Sequence, residues 1–225
     1  MSEAPVKIKL NHLEVTRTAR YATLGSLNDK TRFIWIVCHG YGQIASDFIK
    51  DFQVLSSEEH FVIAPEGLSR FYWGGNFDGK PVASWMTRED RLNEIRDYSK
   101  YLSQLFNLYK KRADPKVEFI LFGFSQGCAT IMRWCNIKRP SCKAIINWAG
   151  TIPEDIEYDQ EYFVDIKLFW RYGTKDRFFT KERIQWHLDI IREKNLKIDI
   201  DLYEGKHKLY AEGLLALEKV ICQSD

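Results

Sequence analysis

The chain has 225 residues, 45% of them hydrophobic and 28% charged, enough to bury a sizeable core within one globular domain spanning 1–225. Its 33 basic and 31 acidic side chains nearly cancel, so no strong field points to nucleic acid or to an anionic membrane. The opening segment MSEAPVKIKLNHLEV is too polar for a signal peptide, and no apolar run approaches the roughly 18 residues of a membrane span, which predicts a soluble, cytoplasmic protein without stable membrane insertion.

Residues 6–15 and 19–24, separated by a short polar turn, predict a leading antiparallel hairpin. Residues 33–38 are a continuous apolar run that stops at a glycine-rich loop, the pattern of a fully buried strand. Ser46 is the expected cap of a helix with Phe48, Ile49, Phe52 and Leu55 on its inner face. A short buried strand at 61–64 leads into residues 65–85, which lack periodicity and are dense in aromatics and glycines. Loops of that length in a compact domain are usually functional. An amphipathic helix over 88–109 precedes a buried strand at 117–122 and a helix over 126–136. Strands at 144–148 and 167–172, a helix over 181–194, a strand at 197–203 and a helix over 210–221 complete the chain. Such alternation makes an α/β fold: a mostly parallel sheet led by the hairpin, with helices on both faces. Ligands in such sheets bind at the carboxyl ends of the strands.

The five cysteines contain no C-x-x-C pair and no spacing to histidine that suggests zinc. They read as small core hydrophobes, with Cys222 the one expected at the surface.

Gly123-Phe124-Ser125-Gln126-Gly127 falls between a buried strand and a helix. That is the setting in which a tight turn holds a nucleophilic serine exposed above a sheet, with the helix amides aimed at a developing oxyanion. A serine needs a base, and the imidazolium it creates needs an orienting carboxylate. When the order along the chain is Ser, acid, His, only His187 and His207 qualify as base. His187 lies deep in a helix pattern and reads as a surface or half-buried position, whereas His207 follows a strand. Among the acids, Asp155, Asp159 and Asp165 read as solvated, and Asp199 and Asp201 as outward-facing strand residues. Asp176 sits in a turn directly after a strand, on the same sheet edge as Ser125 and His207. The loop His39-Gly-Tyr-Gly-Gln43 is placed to give a second oxyanion donor, the amide of Tyr41, beside that of Gln126. His39 itself reads as a structural hydrogen-bonding residue.

These motifs together resemble the phospholipase/carboxylesterase family, which includes acyl-protein thioesterases and small bacterial esterases. His39-Gly-Tyr-Gly, Ala64-Pro65-Glu66, Ser84-Trp85, Gly123-Phe-Ser-Gln-Gly127, Gly173-Thr-Lys-Asp176 and Gly205-Lys-His207 match its motifs in order. The resemblance implies an α/β-hydrolase without a separate lid domain, acting on a small ester or thioester through Ser125, Asp176 and His207, with the Tyr41 and Gln126 amides as oxyanion hole. It implies no metal and no organic cofactor, and does not separate monomer from homodimer. Phe71, Tyr72, Trp73, Phe77, Trp85 and Met86 are the expected pocket lining. Cys128 stands where a second glycine is common, and Lys206 and Lys208 flank the histidine as solvated charges or as attraction for acidic substrates. A lactone hydrolase or peptidase on the same scaffold, or a non-catalytic binding module, stays open at this point.

Overall fold

The computed structural model describes residues 8–55, 57–75 and 77–222. In chain order they form β1 (Tyr21–Leu24), β2 (Phe33–Cys38), α1 (Ala45–Phe48) running into a 3-10 helix over Ile49–Leu55, β3 (His60–Pro65), β4 (Ser69–Tyr72), β5 (Pro81–Ser84) and α2 (Arg91–Arg112). There follow β6 (Glu118–Phe124), α3 (Gln126–Lys138), β7 (Ala144–Trp148), α4 (Gln160–Phe163), β8 (Lys167–Gly173), α5 (Lys181–Glu193), β9 (Ile198–Tyr203) and α6 (Ala211–Cys222). Seven strands make one sheet in the order β1-β3-β2-β6-β7-β8-β9. Every pairing in it is parallel except that of β1 with β3.

Burial follows position in the sheet. β2, β3 and β7 are buried at every residue, as strands covered on both faces must be. β9 is an edge strand, and its exposed Asp199 and Asp201 keep that edge charged and unattractive to a further strand. Alternate residues of β2 enter two cores. Ile34, Ile36 and Cys38 pack with α2, α3 and α5, whereas Phe33, Trp35 and Val37 pack with α1, the 3-10 helix and α6. No helix among the described residues is long and apolar enough to cross a membrane.

Four expectations need correction. The leading hairpin does not form: residues 8–20 carry no regular structure, and β1 pairs with β3 instead. An ion pair from Glu14 to Lys100 and a contact of His12 with Asp90 place the earlier segment alongside α2, with Ile8, Leu10, Leu13 and Val15 exposed. Val6 and Lys7 lie outside the described residues. Ser46 sits inside α1, whose cap position is Ile44. Residues 65–85 are not an unstructured loop, because β4 and β5 pair antiparallel within them, from Ser69 opposite Ser84 to Tyr72 opposite Pro81. Cys222 is buried in the last turn of α6, and Cys142 is the partly exposed cysteine.

Candidate active site

The sheet brings three of the sequence-selected residues together at its carboxyl edge. Ser125 follows β6 with φ 53° and ψ −115°, a conformation rare for any residue but glycine. The turn survives because its flanks have no side chains. A Cβ on Gly123 would lie 2.5 Å from the Cys128 amide nitrogen, and one on Gly127 would collide with the Cys38 carbonyl. Cys128 is fully buried and donates its thiol proton to the Gly123 carbonyl at 3.0 Å, so it fills the elbow without entering the site. Burial pushes that thiol well up from its ordinary range.

His207 follows β9, and Asp176 follows β8. The Asp176 carboxylate is buried; one oxygen accepts from the Phe178 amide at 2.9 Å and the other from His207 Nδ1 at 2.6 Å. A carboxylate facing Nδ1 places the ring proton there, so Nε2 is the acceptor for the Ser125 hydroxyl at 3.0 Å. Phe124 and Phe178 hold the imidazole by ring contacts at 5.0 and 4.7 Å. The loop bearing His207 is tied down on both sides. Trp148 Nε1 donates to the Lys208 carbonyl at 3.1 Å, and the Lys206 amide donates to the Tyr210 hydroxyl at 2.8 Å.

The loop after β2 is fixed just as fully. His39 donates from Nδ1 to the Gly40 carbonyl at 2.7 Å and accepts at Nε2 from the Gly67 amide at 3.0 Å. Both ring nitrogens are thus occupied within the scaffold, and burial lowers the histidine's pKa. The Gly40 amide donates to Gln43 Oε1, and the Gly42 amide to the Ala83 carbonyl of β5. Among the described residues the amides of Tyr41 and Gln126 have no such partner. Gly40 packs so closely on the serine that a Cβ there would lie 3.1 Å from that of Ser125. The Gln126 side chain faces the other way: it accepts from the Trp85 amide at 3.1 Å and donates to the Met86 carbonyl at 2.8 Å.

Two concave surfaces flank this point. Tyr41, Phe71, Tyr72, Trp73 and Phe77 line an open basin of about 670 Å³ on the β4–β5 hairpin. A smaller cavity of about 280 Å³ is lined by Ser125, Gln126 and His207 together with Thr151, Phe178, Phe179, Arg133 and Arg183. Two expected lining residues belong to neither. Trp85 is 1% exposed and packs on Tyr98 and His39, its indole N–H donating to the His39 carbonyl at 2.8 Å. Met86 is half-buried against the core beneath α2, held through its carbonyl and its sulfur. An aromatic beside a polar loop looks the same in sequence whether it lines a pocket or props the loop from below.

Sequence reasoning missed the cavity's far wall. Arg183, in the first turn of α5, looks like any solvated arginine until the cavity is seen. Asp155 is not simply solvated, because it accepts from both Arg133 and Arg91. His187 is fully buried between Trp170, Phe179 and Trp186. Burial, with Arg183 one turn away, drives its pKa down to about 4.

One cluster has metal-like geometry: His60, Glu218 and Cys222, with ligand atoms within 4.8 Å of one another. Its protonation argues otherwise. Trp35 Nε1 donates to His60 Nδ1 at 3.0 Å, so the neutral ring carries its proton on Nε2, which faces Glu218 at 3.4 Å. Burial raises the Cys222 thiol to about 12. Metal-ligating histidines normally donate from their second nitrogen, and here that nitrogen is an acceptor.

A mostly parallel sheet with a strained serine turn after a central strand defines an α/β-hydrolase. A model of the phospholipase/carboxylesterase family matches residues 20–223, and the chain belongs to that family, an esterase- and thioesterase-type branch of the α/β-hydrolases. No curated protein matches the sequence significantly. Among solved structures it is similar to Zea mays acyl-protein thioesterase 2, at 15% identity and a TM-score of 0.70 over 92% of this chain and 99% of that one. It is similar to the esterase PE8, at 19% identity and a TM-score of 0.67 over 90% and 99%. The Bacillus cereus carboxylesterase shares 13% identity and a TM-score of 0.64 over 91% and 94%.

Proposed function

We propose that this protein is a serine carboxylic ester hydrolase working through an acyl-Ser125 intermediate. Ser125 Oγ attacks the ester carbonyl carbon while its proton passes to His207 Nε2. Asp176 holds the imidazole in the tautomer that can accept this proton and stabilises the imidazolium. The negative charge that develops on the carbonyl oxygen falls to the free amides of Tyr41 and Gln126. Collapse of the tetrahedral intermediate breaks the bond to the leaving oxygen or sulfur, which takes its proton from His207. Water then attacks the acyl-serine, gives a proton to His207, and releases the carboxylic acid and the free serine.

The observation that carries this reading is the hydrogen-bonded chain from Ser125 through His207 to the buried Asp176, at 3.0 and 2.6 Å. A binding module has no physical need for that chain or for a strained serine at its head. The apolar basin suits an acyl chain, and the smaller cavity, which holds His207, suits the leaving group that this histidine must protonate.

Short and long p-nitrophenyl esters, a thioester and a fluorophosphonate probe test the proposal. The wild type is expected to release p-nitrophenol and to be labelled at Ser125. Ser125→Ala should lose labelling and about 10⁴-fold or more in kcat while keeping its fold. Absence of both turnover and labelling in the wild type would sink it in favour of the binding module.

A further inference from the structure

The cavity that holds Ser125 and His207 carries an imbalance of charge that the ester chemistry does not use. Its lining includes two guanidinium groups and no carboxylate. Arg133 is already neutralised: its Nε and Nη2 bind Asp155, at 2.8 Å for the shorter contact, and its side chain is only 12% exposed. Arg183 is different. Its side chain's one described polar contact is from Nη2 to Thr151 Oγ1 at 3.1 Å, and both residues line the cavity. An arginine has five N–H donors in a planar fork, so most of this fork is unspent. Among the described residues no acidic group pairs with it. Thr151, following β7, fixes the direction in which the fork points. Lys206 and Lys208, the cations singled out by the sequence, are exposed and line neither cavity. Lys208 instead lies over the Tyr210 ring at 4.8 Å.

We infer that Arg183, oriented by Thr151, is a specificity residue that receives a carboxylate on the alcohol or thiol part of the substrate. The inference rests on the esterase reading and deepens it. His207 must hand its proton to the leaving group, so that group occupies the cavity His207 shares with Arg183. The acyl chain is left to the apolar basin on the other side of Tyr41. A volume of about 280 Å³ suits a small leaving group, which makes the favoured substrate an ester or thioester of a short hydroxy or mercapto acid. A planar fork binds a carboxylate by paired, charge-assisted hydrogen bonds, which a compact ammonium cannot reproduce in full.

The test compares 4-acetoxybenzoate with its neutral methyl ester, both cleaved to acetate and a phenol, in the wild type, Arg183→Gln and Arg183→Lys. The readout is the ratio of kcat/KM for the anionic over the neutral ester, so intrinsic leaving-group differences cancel between variants. Arg183→Gln should lower this ratio by about 10–100-fold, the scale of a hydrogen bond to a charged group, and Arg183→Lys should recover part of it. An unchanged ratio, with both substrates losing equally, would show that Arg183 only supports the fold and would overturn the inference. 4-Nitrophenyl hydrogen glutarate carries its charge on the acyl side; if its kcat/KM shows the Arg183 dependence instead, the placement is wrong. Fluorophosphonate labelling without turnover of either acetoxy ester overturns the subsite alone. Loss of labelling as well removes the esterase reading and the subsite with it.

Discussion

The serine end of the sheet and the aromatic basin beside it are built on opposite physical terms. At the serine, the side chains that shape the turn and its loops are committed. Asp176 is buried and doubly bonded, both His39 nitrogens are occupied, and the Gln126 side chain is clasped by the segment around Trp85. The serine, the imidazole, the amides of Tyr41 and Gln126 and, across the cavity, the Arg183 fork are what is left over for a ligand. In the basin, Trp73 is 54% and Phe77 is 95% exposed. Gly74 and Gly75 at the tip of the β4–β5 hairpin have positive φ and open space around them. The difference lies in restraint: the serine turn is held by strand ends and saturated hydrogen bonds, whereas the basin sits on a hairpin whose β5 strand is buried but whose tip, from Trp73 to Gly75, is open to solvent.

Three substitutions break this contrast from its two sides. Asp176→Asn should lower kcat on p-nitrophenyl butyrate by about 10⁴-fold, because the amide no longer enforces the tautomer that accepts the serine proton. KM and the chain-length profile should stay close to wild type, since the basin does not feel the change. A loss below about tenfold would mean that Asp176 does not orient the base. Next in size is the pair of tryptophans. Trp85→Ala should cost about 3–5 kcal/mol in urea unfolding, as a fully buried ring is lost along with its bond to the His39 carbonyl. Trp73→Ala should cost under about 1 kcal/mol and shift the preferred acyl length instead. If the two effects were exchanged, the division into prop and pocket would be wrong.

What the sequence disclosed follows the same division. Strand ends are legible because a strand pattern that stops at a glycine turn is a local signal: Ser125 and Asp176 follow largely apolar runs, and His207 follows the alternating edge strand β9. The roles of Trp85 and Asp155 are long-range facts. The first depends on a core contact between a loop and Tyr98, the second on Arg91 and Arg133 converging from α2 and α3. The hairpin expected at the start had the right alternation, but residues 8–20 run irregularly beside α2 while β1 pairs with β3, and no local pattern reports that long-range choice. β4 and β5 escaped notice because four-residue strands carry too few alternations to register. His187 was misplaced for a related reason: a histidine in a helix does not say which face the helix buries.

His187 offers the smallest and most discriminating test, because it lies under the cavity wall on the same helix ridge as Arg183, four residues on. Its two ring nitrogens have no hydrogen-bond partner among the described residues, and Trp170, Phe179 and Trp186 surround it. A pKa of about 4, against an ordinary value near 6.5, means that the fold binds the neutral ring. The sign follows directly: this contribution is fully present above about pH 6.5 and fades as pH falls toward 4, as the unfolded chain takes up a proton that the folded one refuses. The loss amounts to roughly 2–3 kcal/mol across that window. His187→Leu replaces unsatisfied nitrogens with apolar atoms of similar volume, so it should match or exceed the wild type at pH 7 by up to about 1 kcal/mol. Urea midpoints taken from pH 7 to 4 should fall less steeply for the leucine variant. Parallel curves would show that the ring is protonated in place, and that the wall behind Arg183 is as yielding as the hairpin across the site.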